Sequence, residues 1–170
     1  MAKRKAFSLA EIMIAVSIIV LLAAIAIPNL YRAKINSNES AAIMSIRSIS
    51  TAAQTYRVDR GRFPLNLTSL GPVGGGEAGG AVAYCAAIAQ PAYLDAKLGC
   101  AQQPCWKDGF AFSLTGDING FSAFGTPNAG CGSRFVTGYR GFFVDESGVI
   151  RWTNQGCPMQ ADKTSPELIR

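Results

Sequence analysis

The chain is 170 residues long, 49% hydrophobic and 16% charged, which suits one modest domain with an appendage and excludes a disordered polyelectrolyte. It contains no His, so Ser-His-Asp, Cys-His and His-metal arrangements are unavailable, and a protein that is not an enzyme is expected. Three units of the net charge of +5 come from Lys3, Arg4 and Lys5, and the other cations are scattered, so no nucleic-acid binding is required to explain the basicity.

From Phe7 to Ile27 the chain is apolar except for Ser8, Glu11 and Ser17. As a helix this run is about 31 Å long, enough to cross the hydrocarbon core of a bilayer. The cluster Lys3-Arg4-Lys5 in front of it favours a cytoplasmic N-terminus and places the residues beyond Ile27 outside the cytoplasm. An exported periplasmic domain behind an ordinary signal peptide is one reading, with Ala24-Ile25-Ala26 as the cleavage site. A plain membrane anchor is another. Neither supplies a purpose for Glu11, since an acidic side chain in the bilayer costs on the order of 2.5–3.5 kcal/mol at the centre and less near an end.

The string Lys5-Ala6-Phe7-Ser8-Leu9-Ala10-Glu11-Ile12 resembles the processing site of type IV pilins and type II secretion pseudopilins. Ala6 stands before the cut, where Gly is usual, and Phe7 is the new N-terminus. Glu11 is the fifth residue after the cut and Pro28 the twenty-second, both places where the family carries these residues. The resemblance implies a basic leader 1–6 that is removed, N-methylation of Phe7, and storage in the bacterial inner membrane with the head in the periplasm. It further implies assembly into a homo-polymer, an extracellular helical filament. The partners would be a prepilin peptidase/methylase and a pilus assembly platform, with no cofactor. The alternative within the family is a pseudopilin of a type II secretion system.

Cutting after Ala6 frees the Phe7 amine, and Glu11 of one subunit is expected to neutralise that amine on its neighbour when apolar helices pack side by side. The pairing would set axial register, as a buried polar group does in a coiled coil. Pro28 is expected to kink the helix rather than end it, because helical periodicity resumes at once.

After the hydrophobic segment 7–30, an amphipathic continuation is expected over 31–60. Ile35, Ala42, Ile46, Ile49, Ala53 and Tyr56 recur at helical spacing on one face, leaving Arg32, Asn36, Glu39, Arg47, Gln54 and Arg57 for the other faces. Gly61 and Pro64 supply the stop. Phe7, Tyr31 and Tyr56 are too sparse for an electron-transfer stripe and read as packing residues.

Residues 61–108 read as loop-rich and 109–170 as an antiparallel sheet with a C-terminal segment. Strand signals lie at 110–114, 120–124, 141–145 and 149–152, with Glu146-Ser147-Gly148 as a tight turn. The stretch from Arg140 to Arg151 resembles the closing hairpin of many bacterial pilins. The expected fold is therefore α+β: a long N-terminal helix packed on a small antiparallel sheet. The glycine tract from Gly74 to Gly80 formally contains G-x-G-x-x-G, but no strand precedes it, so it reads as a linker.

All five cysteines, Cys85, Cys100, Cys105, Cys131 and Cys157, come after the apolar segment and are disulfide candidates on an oxidising side. The expected pairing joins Cys131 to Cys157 and Cys85 to Cys100 or Cys105. With no His and no C-x-x-C, no metal site is expected. Asp117 with Asn119, and Asp145 with Glu146, offer oxygen ligands for calcium, but turn formation is the commoner use of such residues. Asn38-Glu39-Ser40 and Asn66-Leu67-Thr68 match the short N-glycosylation pattern.

Overall fold

A computed structural model of the chain describes residues 9–72, 92–128, 136–154 and 161–168. Helix α1 (Leu9–Arg60) is long and continuous through Pro28. By internal contacts the chain divides into two units, Met1–Lys34 and Ile35–Arg170.

In the second unit, the face of α1 drawn from sequence periodicity is the face that packs. Ile35, Ala42, Ile46, Ile49, Ala53 and Tyr56 are all buried, joined by Ala52 and Ser45. At its end the Gly61 N–H donates to the Arg57 carbonyl at 2.8 Å, with Gly61 at φ 74°, and Phe63 then enters the core. A short 3-10 turn, Leu67–Leu70, comes next. Asn66 caps it, its side-chain oxygen accepting from the Ser69 N–H at 3.0 Å.

Among the described residues the sheet is a five-stranded antiparallel meander: β1 (Cys105–Lys107), β2 (Phe110–Gly116), β3 (Phe121–Pro127), β4 (Gly141–Asp145) and β5 (Ile150–Thr153), in sequence order. Register places Phe112 opposite Gly125, and Gly125 opposite Phe142. Leu114 likewise faces Ala123, which faces Val144. Phe112, Leu114, Ala123, Phe142 and Val144 share one core with Ile46, Ile49 and Phe63. The period-2 alternation of β2 and β3 arises from having only one face against the helix.

The expected α+β architecture holds, and the strand signals coincide with β2 to β5. The loop-rich reading of 61–108 is corrected at its end, where β1 pairs Trp106 with Ala111 and Lys107 with Phe110. Three residues after a proline carry no readable alternation; their strand exists because β2 offers an edge. The Asp108-Gly109 turn joins the two strands with both φ angles positive, 50° and 81°. The opposite edge, β5, is met by the C-terminal segment: the Leu168 N–H donates to the Ile150 carbonyl at 2.7 Å and the Trp152 N–H to the Pro166 carbonyl at 2.9 Å. Glu167 pairs with Arg151 at 3.0 Å.

Two further expectations change. Cys100 is bonded to Cys105, with Cα atoms 5.6 Å apart, so neither is available to Cys85. The turn that leads into β1 brings the two cysteines within bridging reach, which a sequence of loops does not reveal. Cys85, Cys131 and Cys157 lie outside the described residues, as do Ala6, Phe7 and the Gly74–Gly80 tract. Glu39, assigned from sequence to a polar face, is instead buried.

Candidate functional site

The first unit has no core of its own among the described residues. Successive helical positions point about 100° apart, so an apolar run with no polar interruption is apolar all round. Ile12, Met13, Ile14 and Val16 illustrate this, each 50% or more exposed. The same holds for Ile18, Ile19, Val20, Leu21, Leu22, Ile25, Ile27 and Leu30. Burying side chains of this kind is worth about 1.5–3 kcal/mol each, so covering the whole run is worth on the order of 20 kcal/mol. That exceeds the typical net stability of a domain, roughly 5–15 kcal/mol, and makes a water-exposed working state untenable. By length and composition this helix is able to cross a membrane.

Polar groups inside the run are few and locally handled. The Ser17 hydroxyl donates to the Met13 carbonyl at 2.7 Å, so it presents no unsatisfied donor to an apolar surrounding. Pro28 sits inside the helix, where its missing N–H removes one ladder bond. Glu11 lies in the first turn of α1, at the positive end of the helix dipole. It is the only charged residue between Leu9 and Tyr31.

The second unit contains residues that sequence reading singled out and that the fold uses for structure. Asp117 Oδ1 accepts from the N–H groups of Asn119 at 2.7 Å and Gly120 at 2.8 Å, closing the β2–β3 turn. The bonds from Gly120 and Asn119 hold its carboxyl below the usual carboxylate range. Asp145 Oδ1 accepts from the Ser147 N–H at 3.0 Å and from the Ser147 hydroxyl. Glu146 pairs with Lys163 of the C-terminal segment at 3.3 Å. No group of three His, Cys, Asp or Glu side chains suited to a metal occurs among the described residues. Asn38 is buried on α1 and donates to the Thr137 carbonyl at 3.1 Å, while Asn66 caps the 3-10 turn.

What sequence reading missed is the Glu39 clamp. Glu39 Oε1 accepts from the Tyr139 N–H at 2.7 Å, and Oε2 accepts from Arg140 Nε at 2.7 Å. Arg140 also approaches through a second nitrogen at 2.7 Å, and its guanidinium lies 5.6 Å from the centre of the Trp152 ring. Asn38 and Glu39, adjacent on α1, thus pin the 137–140 loop to the helix. The available signal was weak: Glu39 lies three residues before Ala42 on a helix whose apolar face includes Ala42, Ile46 and Ile49.

The first unit, then, is an uncovered apolar helix with a carboxylate in its first turn, and residues 1–27 match the family model for the prokaryotic N-terminal methylation motif. The chain carries a prepilin-type N-terminal signature. That signature belongs to precursors of type IV pilins and pseudopilins and indicates a structural rather than catalytic protein. It spans the basic N-terminal cluster and the apolar run from Phe7 to Ile27 and says nothing of the rest of the chain. A comparison with curated proteins finds no match. The signature and the hydrophobic helix together fit membrane anchoring.

Proposed function

We propose that the chain is a pilin-type subunit, held in the bacterial inner membrane by α1 and then polymerised into an extracellular filament. The observation that carries this reading is the methylation signature at the head of an apolar helix that its own chain leaves uncovered. A leader peptidase cuts between Ala6 and Phe7, and the new amine is methylated. The apolar helix moves from lipid into a bundle of its own copies, so its hydrocarbon surface stays out of water in both states. Glu11 of one copy meets the Phe7 amine of the next, and Pro28 provides the place where the helix bends during packing. The head, facing the periplasm before assembly, covers the bundle.

Intact mass of the exported protein tests the cleavage: the mature chain should begin at methylated Phe7. A chain beginning at Ile27 would instead mean an ordinary signal peptide and end the proposal. Glu11→Ala should still insert in the membrane but should yield no fibres in sheared surface fractions viewed by electron microscopy. Normal fibres from this variant would refute the charge pairing. Short periplasmic assemblies in place of surface fibres would assign the subunit to a secretion pseudopilus.

A further inference from the structure

We propose that Tyr31, Arg32 and Lys34 form a collar that binds anionic phospholipid headgroups while the chain is held in the membrane. The inference rests on the membrane-storage part of the proposed function and goes beyond it by naming a lipid class and the residues that select it.

The placement comes from length. Leu9 to Tyr31 extends about 34 Å as helix, against about 30 Å of hydrocarbon core, so residues 31–34 fall at the headgroup level. Tyr31 stands exposed at that border, the position where tyrosines favour a membrane interface. Arg32 and Lys34 are exposed and make no ion pair or hydrogen bond among the described residues. No acid of the same helix is near enough to answer them. The next one along is Glu39, and it is consumed by Arg140 and the Tyr139 N–H.

The angular arrangement selects the partner. At 100° per residue, Arg32 and Lys34 project about 160° apart around the helix, with Tyr31 between them on one side. A protein partner approaches a helix from one face and would leave one of the two cations unmet. A lipid surface surrounds an isolated span and meets both. Phosphate-bearing, net anionic headgroups supply the matching charge; zwitterionic headgroups carry the same phosphate with no net attraction.

The test uses the processed chain that begins at Phe7, so that Lys3, Arg4 and Lys5 attract no anionic lipid at the other end of the span, reconstituted in phosphatidylcholine vesicles that contain trace spin-labelled lipid, either phosphatidylglycerol or phosphatidylcholine. The measured quantity is the fraction of labelled lipid immobilised by the protein. Native protein should prefer phosphatidylglycerol, and Arg32→Gln and Lys34→Gln should each reduce that preference about fivefold, from about 1 kcal/mol per cation. The double variant should show none, Arg32→Lys should keep it, and added salt should weaken it. Flotation of each variant with the vesicles verifies insertion. Equal immobilisation of both lipids by native protein, or full preference in the double variant, overturns the proposal. So does loss of the preference on adding inorganic phosphate at matched ionic strength, which would mean that the cations take free phosphate. Fibres that form normally while the lipid preference is absent sink this proposal alone; an intact preference without fibres sinks the assembly reading alone.

Discussion

Replacing Glu39 by Ala tests whether a buried ion pair, and not the apolar face alone, holds the head to its helix. Glu39 is 3% exposed and answers three contacts at 2.7 Å, one from the Tyr139 N–H and two from the Arg140 guanidinium. Removing it orphans a part-buried backbone donor, which costs about 1–3 kcal/mol. The guanidinium side is discounted, because the Arg140 side chain is 39% exposed and can hydrate, leaving about 1 kcal/mol there. The sum, about 3 kcal/mol, lowers the melting temperature of a unit this size by roughly 10 °C. Glu39→Gln keeps one acceptor oxygen and should lose about half as much. Arg140→Ala leaves the buried Glu39 carboxylate without its cation and should cost at least as much as Glu39→Ala, so the double variant matters: Glu39→Ala with Arg140→Ala should lie well short of additivity. Thermal unfolding of the detergent-solubilised chain by circular dichroism measures all of this. The near-ultraviolet signal should also change, because Arg140 stacks on Trp152. A melting temperature for Glu39→Ala within about 1 °C of native would falsify the claim that this pair fastens the 137–140 loop.

Three more outcomes are expected. Cys100→Ser with Cys105→Ser opens a small loop, sequence separation 5, and should cost about 2 kcal/mol by the loop-entropy relation, read as a lower denaturation midpoint than that of the native protein under oxidising conditions. Gly71→Ala should destabilise strongly, because an added Cβ would lie 1.9 Å from the backbone oxygen of Gly99; a soluble, native-like variant on denaturant titration would contradict the close approach of the two segments. The Asp117 carboxyl should titrate below the ordinary aspartate range by NMR, since the Gly120 and Asn119 N–H groups favour its charged form. Its contribution is then present above the unfolded-state value and lost as pH falls through the folded one, and Asp117→Asn should remove that acid-side dependence; an ordinary titration in the native chain would contradict the turn geometry.

Much of the molecule was legible from residue order because the relevant physics is local or periodic. The apolar run reads directly as something that needs lipid or copies of itself, and its large side chains from Ile12 to Leu30 are exposed. The helix face from Ile35 to Tyr56 repeats at the helical period, and β2 and β3 alternate because one side of each meets the core. Asp117 and Asp145 read as turn formers, and they are.

Tertiary structure alone decided the points where a residue's role depends on a distant partner. Glu39 looks like a solvent-facing acid until Arg140, about a hundred positions later, is brought against it. Cys105 chooses Cys100 because a turn ends beside it, and β1 becomes a strand because β2 presents an unpaired edge. A carboxylate, a thiol and three residues of extended chain carry no periodic signal of their own. Each was assigned by the neighbour that folding delivered, whereas the apolar helix needed no neighbour within the chain to declare what it is.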